Sequence, residues 1–289
     1  MKRITWTIGA AGAAAAVLLG GTITAFGAPG TPAAKTSVAS HVASTVTTTA
    51  KPTIVLVHGA WADSAGWTPE IERLQAAGYP VVAPPNPLRG LTSDAAYIRS
   101  VLNQIKGPII LVGHSYGGAV ITNAAAGDPN VRALVYIAAF APKAGESLAT
   151  LNGSALGKQI APVPVMPSTY PLPDGTSGVE LTIDPTKYCN VFLDNLANRA
   201  QCGALAAEQR PLSVLSATQA SDTPAWASIP SWYMVAAADR AIAPNLERFM
   251  ASRAHAHTVV IPGAPHLVML TNAQAVTSLI ETAARTTVH

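Results

Sequence analysis

The sequence contains a serine, an aspartate and a histidine whose side chains could together perform acyl transfer. They are Ser115, Asp239 and His266, in that order along the chain. The serine lies in Gly113-His114-Ser115-Tyr116-Gly117, which matches the pattern Gly-x-Ser-x-Gly. A serine hydroxyl becomes nucleophilic when a histidine takes its proton, and a carboxylate holds that histidine in the required orientation. The residue types therefore predict nucleophilic catalysis by Ser115, provided that the fold brings the three side chains together.

The segments on either side of Ser115 predict a sharp turn from a strand into a helix. Residues 108–112 form a short apolar run typical of a buried strand, and the small residues 118–126 suit a helix packed closely on a sheet. Gly113 and Gly117 remove side chains that would collide in such a turn. The first amides of the helix would also face any negative charge that forms near the hydroxyl. The alternative is an ordinary Gly-Ser turn without catalytic use.

Of the seven histidines, His266 is the predicted general base. It follows the apolar run 258–261, so it should lie at the carboxyl edge of a parallel sheet, which is the edge that also carries Ser115. His58 and His114 stand beside motif glycines and are interpreted as structural neighbours of the site. A surface position is the alternative for any histidine in a loop.

Asp239 is the predicted acid, because it follows the apolar strand at residues 232–236, which precedes the strand of the histidine. The alternatives for Asp239 are an ion pair with Arg240 or a cap on the next helix. Asp222 and Asp128 are the other candidate acids, and both are weaker because neither ends a strand at the required edge.

Two backbone amides are the predicted donors to the oxyanion. One belongs to Tyr116, directly after the nucleophile, and the other to Ala60 in His58-Gly59-Ala60, after the first apolar run. Gly59 would allow the backbone to approach the substrate closely.

Strand and helix patterns alternate along most of the chain. Apolar runs at residues 53–58 and 131–140 flank the turn at Ser115, and helical patterns lie between them. This alternation predicts an α/β protein with a mostly parallel central sheet and helices on both faces. Residues 141–228 break the pattern, being rich in Pro, Ser and Asn with weak helical segments near 191–197 and 204–208. They are predicted to form a cap inserted between two strands of the sheet.

Cys189 and Cys202 are the only cysteines, and both fall in the predicted cap. In an exported protein the pair predicts one disulfide, and free buried thiols are the alternative. A single helix over these residues would hold the cysteines about 20 Å apart, so a disulfide requires a break, which we place at residues 195–198. Neither cysteine has histidines at ligand spacing, so no metal site is predicted.

The N-terminus predicts export. Lys2-Arg3 precedes a long uncharged stretch, so residues 1–27 are interpreted as a signal peptide, with a retained membrane anchor as the alternative. Residues 28–51 read as a flexible Thr/Ser/Ala/Pro linker, and residues 52–289 as the folded domain. After cleavage no stable membrane partner is expected, and the protein would be secreted or otherwise extracytoplasmic.

The charge balance excludes nucleic acid as a partner. The chain has 289 residues, of which only 11% are charged, and its formal net charge is +3. The sequence has no cluster of Lys and Arg that would make an electrostatic footprint for a phosphate backbone.

Four segments together resemble the α/β-hydrolase superfamily. They are Val55-Leu56-Val57-His58-Gly59-Ala60-Trp61, Gly113-His114-Ser115-Tyr116-Gly117-Gly118, Asp239-Arg240-Ala241-Ile242-Ala243-Pro244 and Gly263-Ala264-Pro265-His266. The most similar branch is that of bacterial esterase-like enzymes related to plant methylesterases and hydroxynitrile lyases. The resemblance runs from about residue 53 to the C-terminus, is weak across the cap, and implies a serine hydrolase that needs no cofactor.

Two positions distinguish activities within that branch. As a group, the lyases have a threonine after the first histidine and a lysine directly after the catalytic histidine, whereas this chain has Gly59 and Leu267. A cyanide leaving group would find no cation beside His266, so the resemblance implies ester hydrolysis. We expect a carboxylesterase for small or medium apolar esters. A cofactor-free lyase or perhydrolase on the same triad, and a non-catalytic ligand-binding protein of this fold, are the alternatives.

Overall fold

A parallel β-sheet organises the part of the chain that the structure, a computed structural model, describes: residues 51–194 and 199–288. Among these residues the strands are β1 (Thr53–Val57), β2 (Val81–Val82), β3 (Ile109–Ser115), β4 (Val131–Ala139), β5 (Val165–Pro171), β6 (Ser177–Ile183), β7 (Leu212–Ser213), β8 (Ser231–Ala236) and β9 (His257–Ile261). Six of them form the central sheet in the order β2-β1-β3-β4-β8-β9, and all five neighbouring pairs are parallel. The predicted parallel sheet is confirmed.

Helices cover both faces of this sheet. In the described residues they are α1 (Thr68–Ala76), α2 (Leu91–Leu102), α3 (Tyr116–Ala124), α4 (Leu148–Asn152), α5 (Tyr188–Leu193), α6 (Arg199–Ala207), α7 (Val214–Thr218), α8 (Pro244–Arg253), α9 (Val268–Thr271) and α10 (Ala273–Thr287). Alternate residues of β1 pack on opposite sides: Val55 joins the apolar core that contains α2, α3 and α8, and Ile54 joins the core that contains α1 and α10. Strands buried on both faces need continuous apolar runs, which is how β1, β3 and β4 read in the sequence.

The segment between β4 and β8 contains a second sheet that the sequence did not predict. Strands β5, β6 and β7 pair antiparallel, with Val165 opposite Ile183 and Leu181 opposite Leu212. Strand β5 lies in a proline-rich part of the predicted cap, where no strand was predicted. It lies at the edge of its sheet and most of its residues are exposed, so it needs no apolar alternation and tolerates proline.

The helices of this segment differ in their bounds from the predicted ones. Helix α5 begins three residues before the predicted start at residue 191 and ends at Leu193. The remainder of the predicted 191–197 helix lies largely outside the described residues. Helix α6 begins at Arg199, before the predicted start at residue 204. None of the described helices is long and apolar enough to cross a membrane.

Helix α1 carries a buried glutamate, Glu70, whose carboxyl group lacks hydrogen-bond partners among the described residues. Its side chain is fully buried. Burial raises the pKa of Glu70 to about 8, because a charge loses its hydration inside the protein. The folded state therefore holds a proton here that the unfolded chain releases near its ordinary carboxyl pKa.

We expect Glu70→Gln to stabilise the protein at pH 8 and to have little effect at pH 5. Between the unfolded pKa and about 8 only the folded state binds the proton, so wild-type stability falls as the pH rises, by roughly 1 kcal/mol per pH unit. The neutral amide does not titrate, and its advantage should grow over that window. Urea unfolding of both proteins at the two pH values measures it, with exposed Glu72→Gln on the same helix as control. Equal advantages at pH 5 and pH 8 would show that Glu70 is ionised in the folded protein.

Candidate active site

Ser115 lies at a strained turn where β3 ends and α3 begins. Its φ and ψ are 53° and −122°, a conformation that a non-glycine residue adopts only when its surroundings enforce it. A Cβ at Gly113 would lie 2.6 Å from the carbonyl oxygen of Gly117, and a Cβ at Gly117 would lie 2.4 Å from the carbonyl oxygen of Val57. Backbone therefore fills the space on both sides of the turn, and only glycine fits at these two positions.

The structure brings Asp239 and His266 into direct contact. Asp239 follows β8 and His266 follows β9, and His266 Nδ1 lies 2.6 Å from Asp239 Oδ2, with both side chains fully buried. Because a carboxylate oxygen accepts hydrogen bonds, Nδ1 carries the hydrogen. The other ring nitrogen, Nε2, is buried and has no hydrogen-bond partner among the described residues. This tautomer leaves a lone pair on Nε2 that can accept a proton.

The second oxygen of Asp239 fixes the carboxylate. Oδ1 accepts hydrogen bonds from the backbone N–H groups of Ala241 at 2.6 Å and Ile242 at 2.9 Å. The Asp239 carboxylate is thus held in place by two backbone amides through Oδ1 and contacts the histidine through Oδ2. Its neighbour Arg240 forms an ion pair with Asp194. The alternative role for Asp239, an ion pair with Arg240, is therefore not observed in the structure.

The two weaker candidate acids lie elsewhere. Asp128 Oδ1 accepts from the backbone N–H of Asn130, within the loop that leads into β4. Asp222 is exposed, and its backbone N–H donates to Asn123 Oδ1. The acid that contacts His266 is Asp239.

His114, the residue before the serine, holds His266 at this edge. Its Nε2 donates to the backbone carbonyl of His266 at 3.1 Å, and the two rings lie 4.7 Å apart. Burial keeps the pKa of His114 well below its ordinary value, so the ring stays neutral. From the other side, Phe192 of α5 packs its ring 4.9 Å from that of His266, and its carbonyl accepts from the N–H of Leu267. The loop of His266 is thus joined to β3 and to α5.

The loop after β1 passes directly beside the nucleophile. A Cβ at Gly59 would lie only 2.6 Å from the Cβ of Ser115, so the next residue, Ala60, is carried close to the serine. Tyr116 is the first residue of α3, and amides in the first turn of a helix lack intrahelical acceptors. Both residues predicted to donate to an oxyanion are therefore next to Ser115 in space or in sequence.

Buried polar contacts fix this loop, and Asn86 is the partner that sequence reasoning missed. His58 Nε2 accepts from the N–H of Asn86 at 2.9 Å, and Asn86 Nδ2 donates to the carbonyl of His58 at 3.0 Å. The remaining ring nitrogen, Nδ1, donates to the carbonyl of Gly59 at 2.9 Å. Burial lowers the pKa of His58 to about 4, so its ring is neutral at neutral pH. His58 is a structural neighbour of the site, as predicted.

Asp94 is a second partner that the sequence did not reveal. It accepts from the hydroxyl of Tyr116 at 2.7 Å and from the backbone N–H of Arg89 at 3.1 Å. Burial raises the pKa of Asp94 above its ordinary value. The contact joins the residue after the nucleophile to the start of α2. Asp94 had no strand or motif beside it that would have marked it as part of the site.

A disulfide links helices α5 and α6 of the inserted segment. Cys189 of α5 and Cys202 of α6 are joined, with their Cα atoms 5.5 Å apart. The predicted break at residues 195–198 lies outside the described residues, but α5 ends at Leu193 and α6 begins at Arg199. Among the residues described, no cluster of three or more His, Cys, Asp or Glu side chains is arranged to hold a metal ion.

The parallel sheet and the serine turn at the end of its third strand define a class of protein, and sequence comparison agrees with it. The family model described as Alpha/beta hydrolase family matches residues 54–279, and the chain belongs to that family. The resemblance noted in the sequence is confirmed.

Two curated relatives match parts of the chain. A carbendazim hydrolyzing esterase of Nocardioides sp. (strain SG-4G) is 38% identical over 120 residues, 37% of this chain and 50% of that protein. A probable hydrolase R7 of Phoma sp. (strain ATCC 20986 / MF5453) is 28% identical over 162 residues, 51% of this chain and 63% of that protein. The matches span only about half to three fifths of the length of these relatives.

Solved structures share the fold. The crystal structure of polyneuridine aldehyde esterase superimposes with a TM-score of 0.68 at 19% sequence identity, covering 80% of this chain and 98% of that one. The extracellular α/β-hydrolase of a Paenibacillus species has a TM-score of 0.65 at 21% identity, covering 81% and 99% respectively.

Proposed function

We propose that the protein is a serine carboxylesterase that hydrolyses small or medium apolar esters through an acyl-enzyme. The observation that carries the proposal is the buried Asp239–His266 pair, whose free Nε2 lies at the sheet edge where Ser115 is held in a strained turn. The names of the matched esterase and hydrolase relatives support the same reaction class.

In this reaction Ser115 attacks the ester carbonyl while Nε2 of His266 takes the hydroxyl proton. Asp239 stabilises the imidazolium, and the backbone amides of Ala60 and Tyr116 stabilise the oxyanion. His266 then gives the proton to the departing alcohol, which leaves an acyl-enzyme on Ser115. A water molecule, deprotonated by His266, attacks the acyl carbon, and His266 then returns the proton to Ser115 Oγ as the bond to the serine breaks and the acid is released. The steps need no cofactor.

The apolar surroundings of His266 favour an apolar substrate. A cavity of about 200 Å³ lies beside the histidine's loop and is lined mainly by apolar and aromatic side chains, among them Trp61, Tyr188, Leu205, Leu267 and Met269. A larger groove of about 580 Å³ lies between β9 and α10. Ser115, Asp239 and His266 line neither cavity, but the smaller one is lined by Trp61 and Leu267, which directly follow Ala60 and His266 in the chain. We therefore assign the substrate's apolar group to the smaller cavity.

The residues beside the triad favour hydrolysis over the lyase alternative. Leu267 is buried and apolar where a lyase of this branch would have a lysine, so it offers no charge to a cyanide leaving group. A side chain at Gly59 would overlap Ser115, so the loop has no room for a threonine there without moving.

Labelling with a fluorophosphonate tests the proposal, because this reagent forms a covalent bond only with an activated serine. We expect the label on the peptide that contains Ser115, with no labelling of Ser115→Ala and much slower labelling of His266→Ala. An ester panel graded by acyl and alcohol size, with carbendazim included because of the named relative, then defines the substrate. A folded wild-type protein that takes no label would contradict the mechanism.

We also propose that the protein acts outside the cytoplasm. The basic Lys2-Arg3 followed by an uncharged stretch supports export, and a disulfide persists in oxidising compartments. Mass spectrometry of protein from the culture medium should find residues 1–27 removed and a Cys189–Cys202 crosslinked peptide. Full-length protein confined to the cells would contradict export.

A further inference from the structure

Glu247 of α8 is a fully buried carboxyl group immediately behind the candidate acid. Its Oε2 accepts a hydrogen bond from the backbone N–H of Ala236 at 3.0 Å. Ala236 ends β8, three residues before Asp239. The glutamate is therefore attached to the same short segment that carries the carboxylate of the Asp239–His266 pair.

The other oxygen of Glu247, Oε1, is buried, and it receives no hydrogen bond from the described residues. Glu247 lies within hydrogen-bonding contact of the Asp239 carboxylate. Two ionised carboxylates repel each other and share no hydrogen, so this contact is a hydrogen bond only when one of them is protonated.

The proton belongs to Glu247. Asp239 already accepts three donors, the N–H groups of Ala241 and Ile242 and Nδ1 of His266, whereas Glu247 accepts one. The ionised form is better stabilised where more donors point at it. Burial and the charge of Asp239 also raise the pKa of Glu247 well above its ordinary value.

The other titratable groups near Glu247 do not reverse this assignment. Arg248 on the same helix favours the ionised glutamate, but it is exposed, and its guanidinium donates to Asn245. The hydroxyl of Tyr233 on β8 is buried and neutral, and it donates to the carbonyl of Ala139. His266 contacts Asp239 through Nδ1 and Oδ2.

We propose that Glu247 is a positioning residue: it remains a neutral carboxylic acid in the working enzyme and donates from Oε1 to Asp239, restraining the carboxylate that orients His266. The proposal rests on the esterase function proposed above. A neutral donor adds a bond to Asp239 without adding charge, whereas an ionised Glu247 would place a second negative charge behind the histidine.

A matched pair of variants tests this role. In Glu247→Gln the amide oxygen accepts from the N–H of Ala236 and the amide nitrogen donates to Asp239, so we expect kcat within about threefold of wild type. In Glu247→Leu both bonds are lost, and kcat should fall about 10- to 100-fold with little change in KM, as for a hydrogen bond to a charged group. Loss of activity in the glutamine variant would overturn the proposal even if the leucine variant does not fold.

The pH profile separates a neutral Glu247 from an ionised one. The acid limb of the pH profile of kcat/KM reports the pKa of the catalytic histidine in the free enzyme. If Glu247 is neutral, the limb lies at the same pH in wild type and Glu247→Gln. If Glu247 is ionised, the substitution removes a nearby negative charge and the limb moves down by about one pH unit. Such a shift would refute the proposal.

An infrared difference spectrum provides a readout that does not depend on activity. Wild type minus Glu247→Gln should show the carbonyl band of a protonated carboxylic acid at neutral pH. If the fluorophosphonate fails to label Ser115 but this band is present, the esterase assignment fails and the protonated glutamate stands. If the label is present and the band is absent, only the role of Glu247 fails.

Discussion

Asp239→Asn should lower kcat about 10⁴-fold while leaving the fold intact, the size of effect seen when a triad histidine is held in the wrong tautomer. The N–H groups of Ala241 and Ile242 both point at Oδ1, so the oxygen of the new amide must take that place. The NH₂ group then takes the place of Oδ2 and faces His266 Nδ1. His266 must accept there and carry its hydrogen on Nε2, where it can no longer take the serine proton.

Steady-state ester hydrolysis measures this effect, and Asp222→Asn is the matched control. Asp222 is exposed and was a rival candidate for the acid, so its amide variant should keep wild-type kcat. Circular dichroism and thermal unfolding establish that both variants fold. A folded Asp239→Asn protein with more than a tenth of wild-type kcat would mean that Asp239 does not orient the base.

Gly59→Ala should lower kcat about 10²- to 10³-fold, the loss expected when one oxyanion donor is misplaced. The new Cβ would lie 2.6 Å from the Cβ of Ser115 and 3.0 Å from the carbonyl oxygen of His114. Neither atom is the end of a flexible side chain, so the loop itself must move, and the amide of Ala60 moves with it. We expect a smaller change in KM, because the displaced amide acts on charge that develops during the reaction.

Gly203→Ala is the control for this substitution, because a Cβ at Gly203 would meet nothing within 4 Å. That glycine is exposed on helix α6 and does not line the cavity assigned to the substrate. Its variant should retain wild-type kcat and stability. Unchanged kcat in a folded Gly59→Ala protein would show that the loop after β1 does not supply an oxyanion donor.

Local patterns explain why the sheet and the Asp239–His266 contact were predictable from the sequence. A buried parallel strand leaves an uninterrupted apolar run, and the residue after it lies at the carboxyl edge of the sheet. Asp239 follows the buried run of β8, and His266 follows the apolar run of β9, which the structure leaves largely exposed. These two runs were enough to predict that the two residues lie at the same edge of the sheet. The strained turn at Ser115 requires two glycines at fixed spacing, which the sequence also displays.

The supporting residues were hidden because their roles depend on contacts distant in sequence. Asn86 contacts His58 across 28 positions, and nothing in its own neighbourhood marks it as buried. Glu247 occupies an ordinary place in an amphipathic helix, where a glutamate is expected to face solvent. The small antiparallel sheet was missed for a different reason, since exposed strands such as β5 carry no apolar periodicity.

The central sheet is assembled from two separated stretches of chain, and this affects how it folds. Strands β1 to β4 are continuous in sequence and carry Ser115, whereas β8 and β9 follow the inserted segment and position Asp239 and His266. Pairing Leu134 with Ser231 closes a long loop, and the entropy cost of closure grows only slowly with loop length, about 0.6 kcal/mol per doubling. The insertion can therefore lengthen or shorten in evolution at little thermodynamic cost. A longer insertion should instead slow folding, because pairing strands that are distant in sequence raises the contact order.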